Sequence, residues 1–399
     1  MPAAVSNLVS EKSVGFVLLP VMAAVTTGFL IIGIALPVLP LHVTNDLGFG
    51  AFVVGLVAGS QFAASLISRI WAGSFSDRLG AKRAVVAGLL AASASGVLYW
   101  LSLGLSATPT ASVAVLLLGR AVLGGAESFI ITGGVSWGLA RVGGDQAGKV
   151  IAWIGMAMFA ALTLGGPIGT TLYAASGFAG IAMATLIVPL LVLISLLRVP
   201  AAPVLPKQKD GALSDVVGAV WLPGLAAAFS SIGYGAILAF SSLHFVEHGW
   251  HPIWLGFSAF GAALILTRVF FAHLPDRKGG ARIALTFVLV QSAGLVLMWL
   301  AGSTFMATAG AALAGLGYSL VYPALGVEAV RGVAPENRGL AMGLYTACLD
   351  LALGFGSPAL GWVAGRTNLD TVFAVSAAVV LVAAVIALRL QRSAQASEP

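Results

Sequence analysis

Arg120, Glu127 and Asp350 each stand in the middle of an apolar run. A charge at mid-membrane depth costs about 2.5–3.5 kcal/mol on insertion scales, so such a group needs a partner or a wet cavity, and a carboxyl group placed there can carry a proton. Seven residues at about 100° each put Arg120 and Glu127 on one helix face, about 10.5 Å apart along the axis. Side chains lean toward the helix N-terminus, so a direct pair is strained, and a water, a substrate group or another helix is expected between them. Glu127 is the first proton-coupling candidate and Asp350 the second. A different chemistry is spelled by His244-Phe245-Val246-Glu247-His248, the His-x-x-Glu-His spacing of an inverted zinc-peptidase helix, with His251 nearby. That match is short and lies at the end of an apolar stretch. It reads as an interfacial polar cluster, and no metal is assigned. Gly148-Lys149 is followed by Val150, so the chain lacks a Gly-x4-Gly-Lys-Ser/Thr loop and ATP is not the evident energy source. No cofactor and no nucleic-acid partner are expected.

The elements that must hold these residues follow from composition. The chain has 399 residues, 59% hydrophobic and 9% charged, with a mean hydropathy of +1.02. Soluble domains carry about 25% charged residues, so this chain belongs in a bilayer. Twelve spans of about 20 residues or more can be read, at 14–42, 50–74, 83–106, 111–138, 148–175, 177–198, 217–246, 252–274, 282–302, 304–329, 339–364 and 370–391. The first lacks a cleavage pattern and reads as a retained span. The widest polar break, 199–215, contains Pro200, Pro203, Pro206, Lys207, Lys209 and Asp210 and reads as a cytoplasmic linker between bundles at 1–198 and 216–399. Cys348, the single cysteine, excludes an internal disulfide and reads as a buried inert thiol.

The halves repeat one another. Arg69, Asp77, Arg78, Gly80 and Arg83 recur 199 positions later, and Pro167 with Asp145 recurs as Pro358 with Glu336 at an offset of 191. With the N-terminus inside, sixteen of the twenty basic residues fall on the cytoplasmic side, which puts both termini there. Arg69 and Arg268 are read as snorkelling residues near inner helix ends.

The stretch Gly73-Ser74-Phe75-Ser76-Asp77-Arg78-Leu79-Gly80-Ala81-Lys82-Arg83 resembles the signature loop between spans 2 and 3 of the major facilitator superfamily. In that family the loop latches the cytoplasmic side in one state. The resemblance implies latch roles for Gly73, Asp77, Arg78, Gly80, Lys82 and Arg83. A degenerate second copy contains Asp276 and Arg277, with Ala272 at the position of Gly73. Arg120 with Gly124 resembles the family's Arg-x-x-x-Gly pattern in span 4. Gly165-Gly166-Pro167-Ile168-Gly169 resembles the span 5 motif of the drug:proton antiporter branch, with Thr170 and Thr171 where that branch has paired glycines. Gly119–Gly138 and Gly339–Gly361 resemble a little-characterised bacterial branch called arabinose-efflux-like.

The resemblance implies an all-α integral membrane fold of twelve helices in two pseudo-symmetric six-helix bundles, monomeric, in the bacterial inner membrane. It also implies a central cavity lined from spans 1, 4, 7 and 10, with Arg120, Thr27, Tyr234, Ser241, Tyr318 and Tyr322 as substrate-cavity candidates, and Gln61 and Gln291 on flanking spans. The expected activity is secondary transport, proton-coupled efflux of a small organic molecule by rocking of the halves. A cation-coupled importer of a sugar or other metabolite is the alternative. A zinc hydrolase and a non-transporting sensor are the more remote classes.

Overall fold

The computed structural model describes residues 11–143, 146–201, 213–331, 333–334 and 337–396. Most of the expected linker, together with Asp145 and Glu336, lies outside the described residues.

Among the described residues the long helical segments are α1 Glu11–Ala35, α2 Ala51–Leu79, α3 Ala81–Gly104, α4 Pro109–Val142, α5 Ala147–Leu197, α6 Leu213–Glu247, α7 Leu255–Phe271, α8 Gly280–Trp299, α9 Thr304–Arg331, α10 Arg338–Arg366 and α11 Leu369–Ala396. No strand occurs among the described residues. Ten helical segments are long and apolar enough to cross a membrane, and α7 is a shorter apolar helix of 17 residues. Large apolar side chains such as Phe16, Ile70, Trp71, Phe270, Phe305 and Phe355 lie on the outside. Such a surface suits lipid, and this is a multi-pass membrane protein.

The helices differ from the expected spans in two places. The first apolar segment does not run unbroken to residue 42. Pro37 has no N–H to give, α1 stops at Ala35, and the chain resumes as a short turn, Leu39–Leu41, and a π-helical segment, His42–Asp46. The expected fifth and sixth spans are two helical stretches within Ala147–Leu197 that meet at a kink, where Gly177 has a non-helical φ of 62° and no loop intervenes. Little besides this glycine separates the two apolar stretches, and the chain kinks there instead of forming a loop.

The repeated loop has the same backbone in both copies. Gly80 joins α2 to α3 at φ 96°, and Gly279 joins the short helix Leu274–Lys278 to α8 at φ 86°. Only glycine adopts this conformation without strain, which explains why it recurs.

Helices from residues 11–197 pack mainly on one another, α1 on α4 and α5, α2 on α4, and α3 on α4 and α5. Among the later helices, α6 packs on α9, α10 and α11, and α8 on α9 and α11. The main contacts between these groups are α2 with α10 and α5 with α7. At one end they are tight: Gly55 and Gly59 lie against Ser357 and Gly354, and Ser258 Oγ donates to the Thr163 carbonyl at 3.2 Å. A cavity lined from both groups occupies the space between them.

Candidate functional site

The cavity has a volume of about 350 Å³. Its charged lining is Arg69 from α2, Glu127 from α4, Arg268 from α7 and Asp350 from α10, and Tyr234, Tyr318, Tyr322, Phe29, Phe62 and Phe159 supply aromatic surface.

Glu127 is held by Gln61, whose Nε2 donates to Glu127 Oε2 at 2.7 Å. The two helices can approach here because Gly124 carries no Cβ; one built there would collide with the Gln61 carbonyl. The same device recurs in the second half, where Gly315 of α9 meets the carbonyl of Phe260 on α7. Gly315 follows Gly124 by 191 residues, and Phe260 follows Gln61 by 199. At those offsets Glu127 is matched by Tyr318, whose ring stacks on Tyr234 at 4.8 Å. One half therefore presents an amide and a carboxyl group where the other presents aromatic rings.

Asp350 is 2% exposed and is bound by Arg69, with Arg69 Nε at 3.0 Å from Asp350 Oδ2 and the terminal nitrogen donating to the same oxygen. This ion pair joins α2 to α10 across 281 residues of sequence. Arg268, 199 residues after Arg69, donates to the Ser319 carbonyl at 3.3 Å and lies 4.6 Å from the ring centroid of Phe159 on α5. No carboxylate pairs with it among the described residues. Both arginines correct the snorkelling expectation. Helix α2 continues to Leu79, past the expected limit of 74, so Arg69 lies about 15 Å inside the helix end and faces the cavity. The recurrence of an arginine in both copies of the repeat was the available signal.

Other candidates lie elsewhere. Arg120 is fully buried between helices, donating from Nε to the Val57 carbonyl at 3.3 Å, with its NH1 3.5 Å from Tyr99 Oη. It does not line the cavity. Its face is shared with Glu127, and the helix between them is α2, which supplies both Val57 and Gln61. Thr27 and Ser241 are buried and are not in the cavity wall. Gln291 is locked to α6, accepting from Ser230 Oγ at 2.6 Å and donating to the Ser230 carbonyl at 2.8 Å. Tyr322 is in the wall, with its hydroxyl 2.7 Å from Thr346 Oγ1. Gly165 and Gly169 of the span 5 motif lie against Gly33 and Ile34 of α1, and Pro167 is inside α5. Cys348, expected to be buried, is half-buried.

The loop residues are apart from the cavity. Asp77 and Arg78 are exposed, and among the described residues no hydrogen bond or ion pair engages Asp77. Gly73, expected to permit close helix packing, faces open space, with nothing within 4 Å of a Cβ built there. Lys82 caps the end of α5 through the Val199 carbonyl at 2.5 Å. Arg83 is exposed, as is Arg277 in the second copy. The Asp276 side chain lies outside what is described.

The Major Facilitator Superfamily family model matches residues 21–333 and 255–399. An uncharacterized MFS-type transporter of Salmonella typhimurium is 39% identical over 383 residues, covering 96% of this chain and 98% of its own length. The uncharacterized MFS-type transporter YhhS of Escherichia coli K12 is 38% identical over 366 residues, 91% of this chain and 90% of its own. Among solved structures, the nucleoside transporter NupG superposes with a TM-score of 0.71 at 17% identity, covering 94% of this chain and 98% of that one. A bacterial homolog of the human lysosomal transporter Spinster, inward-facing and occupied, gives 0.73 at 15% identity, covering 96% and 98%. At such identities these two speak for the fold alone. The sequence matches carry more: this chain belongs to the Major Facilitator Superfamily, whose members move small-molecule substrates across lipid bilayers by secondary transport with alternating access.

Proposed function

We propose that the protein exports a small organic molecule in exchange for protons, in the manner of the drug:proton antiporter-like branch, with Glu127 carrying the proton and the central cavity holding the substrate. The observation that carries this reading is the pairing of Glu127 with a neutral amide, Gln61, while Asp350 is matched by a cation. A half-buried carboxylate in a mid-membrane cavity without a fixed counter-ion is stabilised by a proton or by a substrate group that is cationic or donates hydrogen bonds. Those two occupants exclude one another, which is what exchange requires. The substrate accordingly carries a donor or amine for Glu127 and an apolar body for the aromatic walls.

Arg268 supports the importer as a second reading. An anion bound beside this unmatched cation would favour the protonated form of Glu127, and proton and substrate would then travel together.

We read the chain as twelve spans, counting α5 as two that meet at Gly177 and α7 as one. The spans form two six-helix bundles, 1–198 and 216–399, joined by 199–215, in a monomer of the bacterial inner membrane with both termini in the cytoplasm. In that orientation the cavity opens inward and the Gly55 end of α2 closes the exterior.

Growth of deletion and overexpression strains across toxic compounds identifies a substrate, and proteoliposomes with an imposed pH gradient then test the coupling. Glu127→Gln is expected to abolish accumulation against the gradient while retaining exchange. Accumulation at the native rate in that variant would falsify the assignment. A flux that moves down the proton gradient together with substrate selects the importer. Orientation is tested in a Cys348→Ala background: a cysteine replacing Asn45 reacts with an impermeant thiol reagent in intact cells, and one replacing Lys207 is protected.

A further inference from the structure

At the end of α6 away from the cavity, His244 and His248 lie one helical turn apart and meet Asp370 from the start of α11. His244 Nδ1 is 3.2 Å from Asp370 Oδ1, and His248 Nε2 is 3.5 Å from the same oxygen. Distances this short ordinarily mean hydrogen bonds, yet neither pair has hydrogen-bond geometry; the fully buried His244 has the Met298 backbone beside its ring, and Asp370 Oδ1 has no hydrogen-bond partner among the described residues. The three ligand atoms, one from each residue, lie within 4.8 Å of one another.

The histidine orientations are set by neighbours. His248 Nδ1 lies 3.0 Å from the His244 carbonyl, which can only accept, so Nδ1 carries the hydrogen and Nε2 is the nitrogen that faces Asp370. A ring nitrogen bonded to a backbone carbonyl is the usual way a ligating imidazole is fixed. Trp250 stacks on the His248 ring at 4.4 Å and Phe373 lies 4.8 Å from His244, holding both rings in place.

The equivalent corner of the first half shows what a proton-filled pair looks like. There His42, 202 residues before His244, stands 2.7 Å from Asp46. Tyr173 donates to the same carboxylate oxygen at 3.0 Å. That carboxylate is satisfied and has no second histidine.

We propose that His244, His248 and Asp370 form a binding site for a divalent first-row transition metal ion of the zinc type. Two imidazoles and a carboxylate suit such ions. Tetrahedral coordination at about 2.0–2.1 Å places neighbouring ligand atoms about 3.3 Å apart, close to both observed separations. His248 is 28% exposed and Asp370 32%, so water can complete the coordination shell. The site differs from the sequence-based reading of this motif in that its third ligand comes from α11, 122 residues after His248. The role is binding that ties α6 to α11, and no hydrolysis is implied.

The test uses the full chain, purified in detergent with any affinity tag removed and stripped with a chelator. Calorimetric titration with zinc chloride is expected to give one site per chain, and cobalt(II) is expected to develop the visible absorption of a tetrahedral complex. His248→Gln and Asp370→Asn, both partly exposed positions, should weaken zinc binding by about tenfold or more. His42→Gln should leave it unchanged. Absence of zinc and cobalt binding by the native chain overturns the site, whatever the variants do. So does binding that survives in both variants, or that falls equally in His42→Gln.

Discussion

Arg69 and Arg268 occupy equivalent places in the repeat, but Arg69 meets the carboxylate of Asp350 and Arg268 meets the ring of Phe159. The partners are equivalent as well, since Phe159 precedes Asp350 by 191 residues. Each pair joins a helix of one half to a helix of the other. A carboxylate can be neutralised by a proton and an aromatic ring cannot, so on the proposed mechanism one seam answers to protonation and the other only to what fills the cavity. With Glu127 and Gln61 set against Tyr318 and Phe260, the division extends through the site. The cavity's carboxyl groups come from α4 and α10, and its tyrosines from α6 and α9.

The largest effect is expected from breaking the titratable seam. Asp350→Arg sets two guanidinium groups face to face at a position 2% exposed. Breaking a buried pair costs about 3–5 kcal/mol, and because Arg69 is partly open to the cavity we expect about 2–3 kcal/mol here. Transport should fall to background, with a lower melting temperature. The swap Arg69→Asp with Asp350→Arg should recover both. A swap no better than the single change would mean that the residues act separately.

The loop between α2 and α3 comes next. Asp77 engages nothing among the described residues, and under the proposed latch role its partner belongs to another conformation of the transport cycle. Asp77→Asn should leave the melting temperature unchanged and slow transport by about tenfold, within the 5–150-fold range of conformational coupling energies. Asp276→Asn should act more weakly, because Ala272 replaces the close-approach glycine of the first copy. Equal losses from the two would remove the asymmetry between the loops.

Much of this architecture was legible in the sequence, because lipid demands long apolar helices and a repeat must recur at a fixed offset. Glu127 was found by the rule that a mid-span carboxyl group needs a reason. Arg120 satisfied the same rule with a different outcome, since the Val57 carbonyl and Tyr99 hold it inside the helix packing. Asp350 was visible without its partner. Pairing across 281 residues leaves no local trace, and Arg69 beside a basic loop has the pattern of a snorkelling side chain. The boundary at Gly177 was legible in the sequence, but not that the two helices meet there in a kink without a loop, because hydropathy reports apolarity and not backbone direction.

A smaller change is expected at the aromatic seam. Phe159→Leu keeps the apolar volume and removes the ring over which the Arg268 guanidinium lies, a contact worth about 0.5–2 kcal/mol. Substrate affinity should drop by about 2–30-fold by that measure, while the dependence of flux on the pH gradient stays as in the native protein. A changed proton dependence in Phe159→Leu would show that the two seams are not divided as described.

The smallest effect is expected at Tyr318, the position equivalent to Glu127. Its hydroxyl lies 3.3 Å from Ser231 Oγ, a long contact, and Ser231 also donates to the Ala227 carbonyl at 2.7 Å. Tyr318→Phe therefore strands no buried donor, keeps the stack on Tyr234, and should cost at most about 1 kcal/mol, the net worth of an ordinary hydrogen bond. In proteoliposomes the variant should concentrate substrate as the native protein does, with affinity changed no more than about fivefold. Glu127→Gln, at the matching place in the other half, should lose that accumulation altogether. The contrast does not depend on which substrate is used, because both variants are read against the same imposed gradient. If Tyr318→Phe uncouples transport as fully as Glu127→Gln, proton handling is shared between the halves, and the assignment of the titratable role to Glu127 and its neighbours fails.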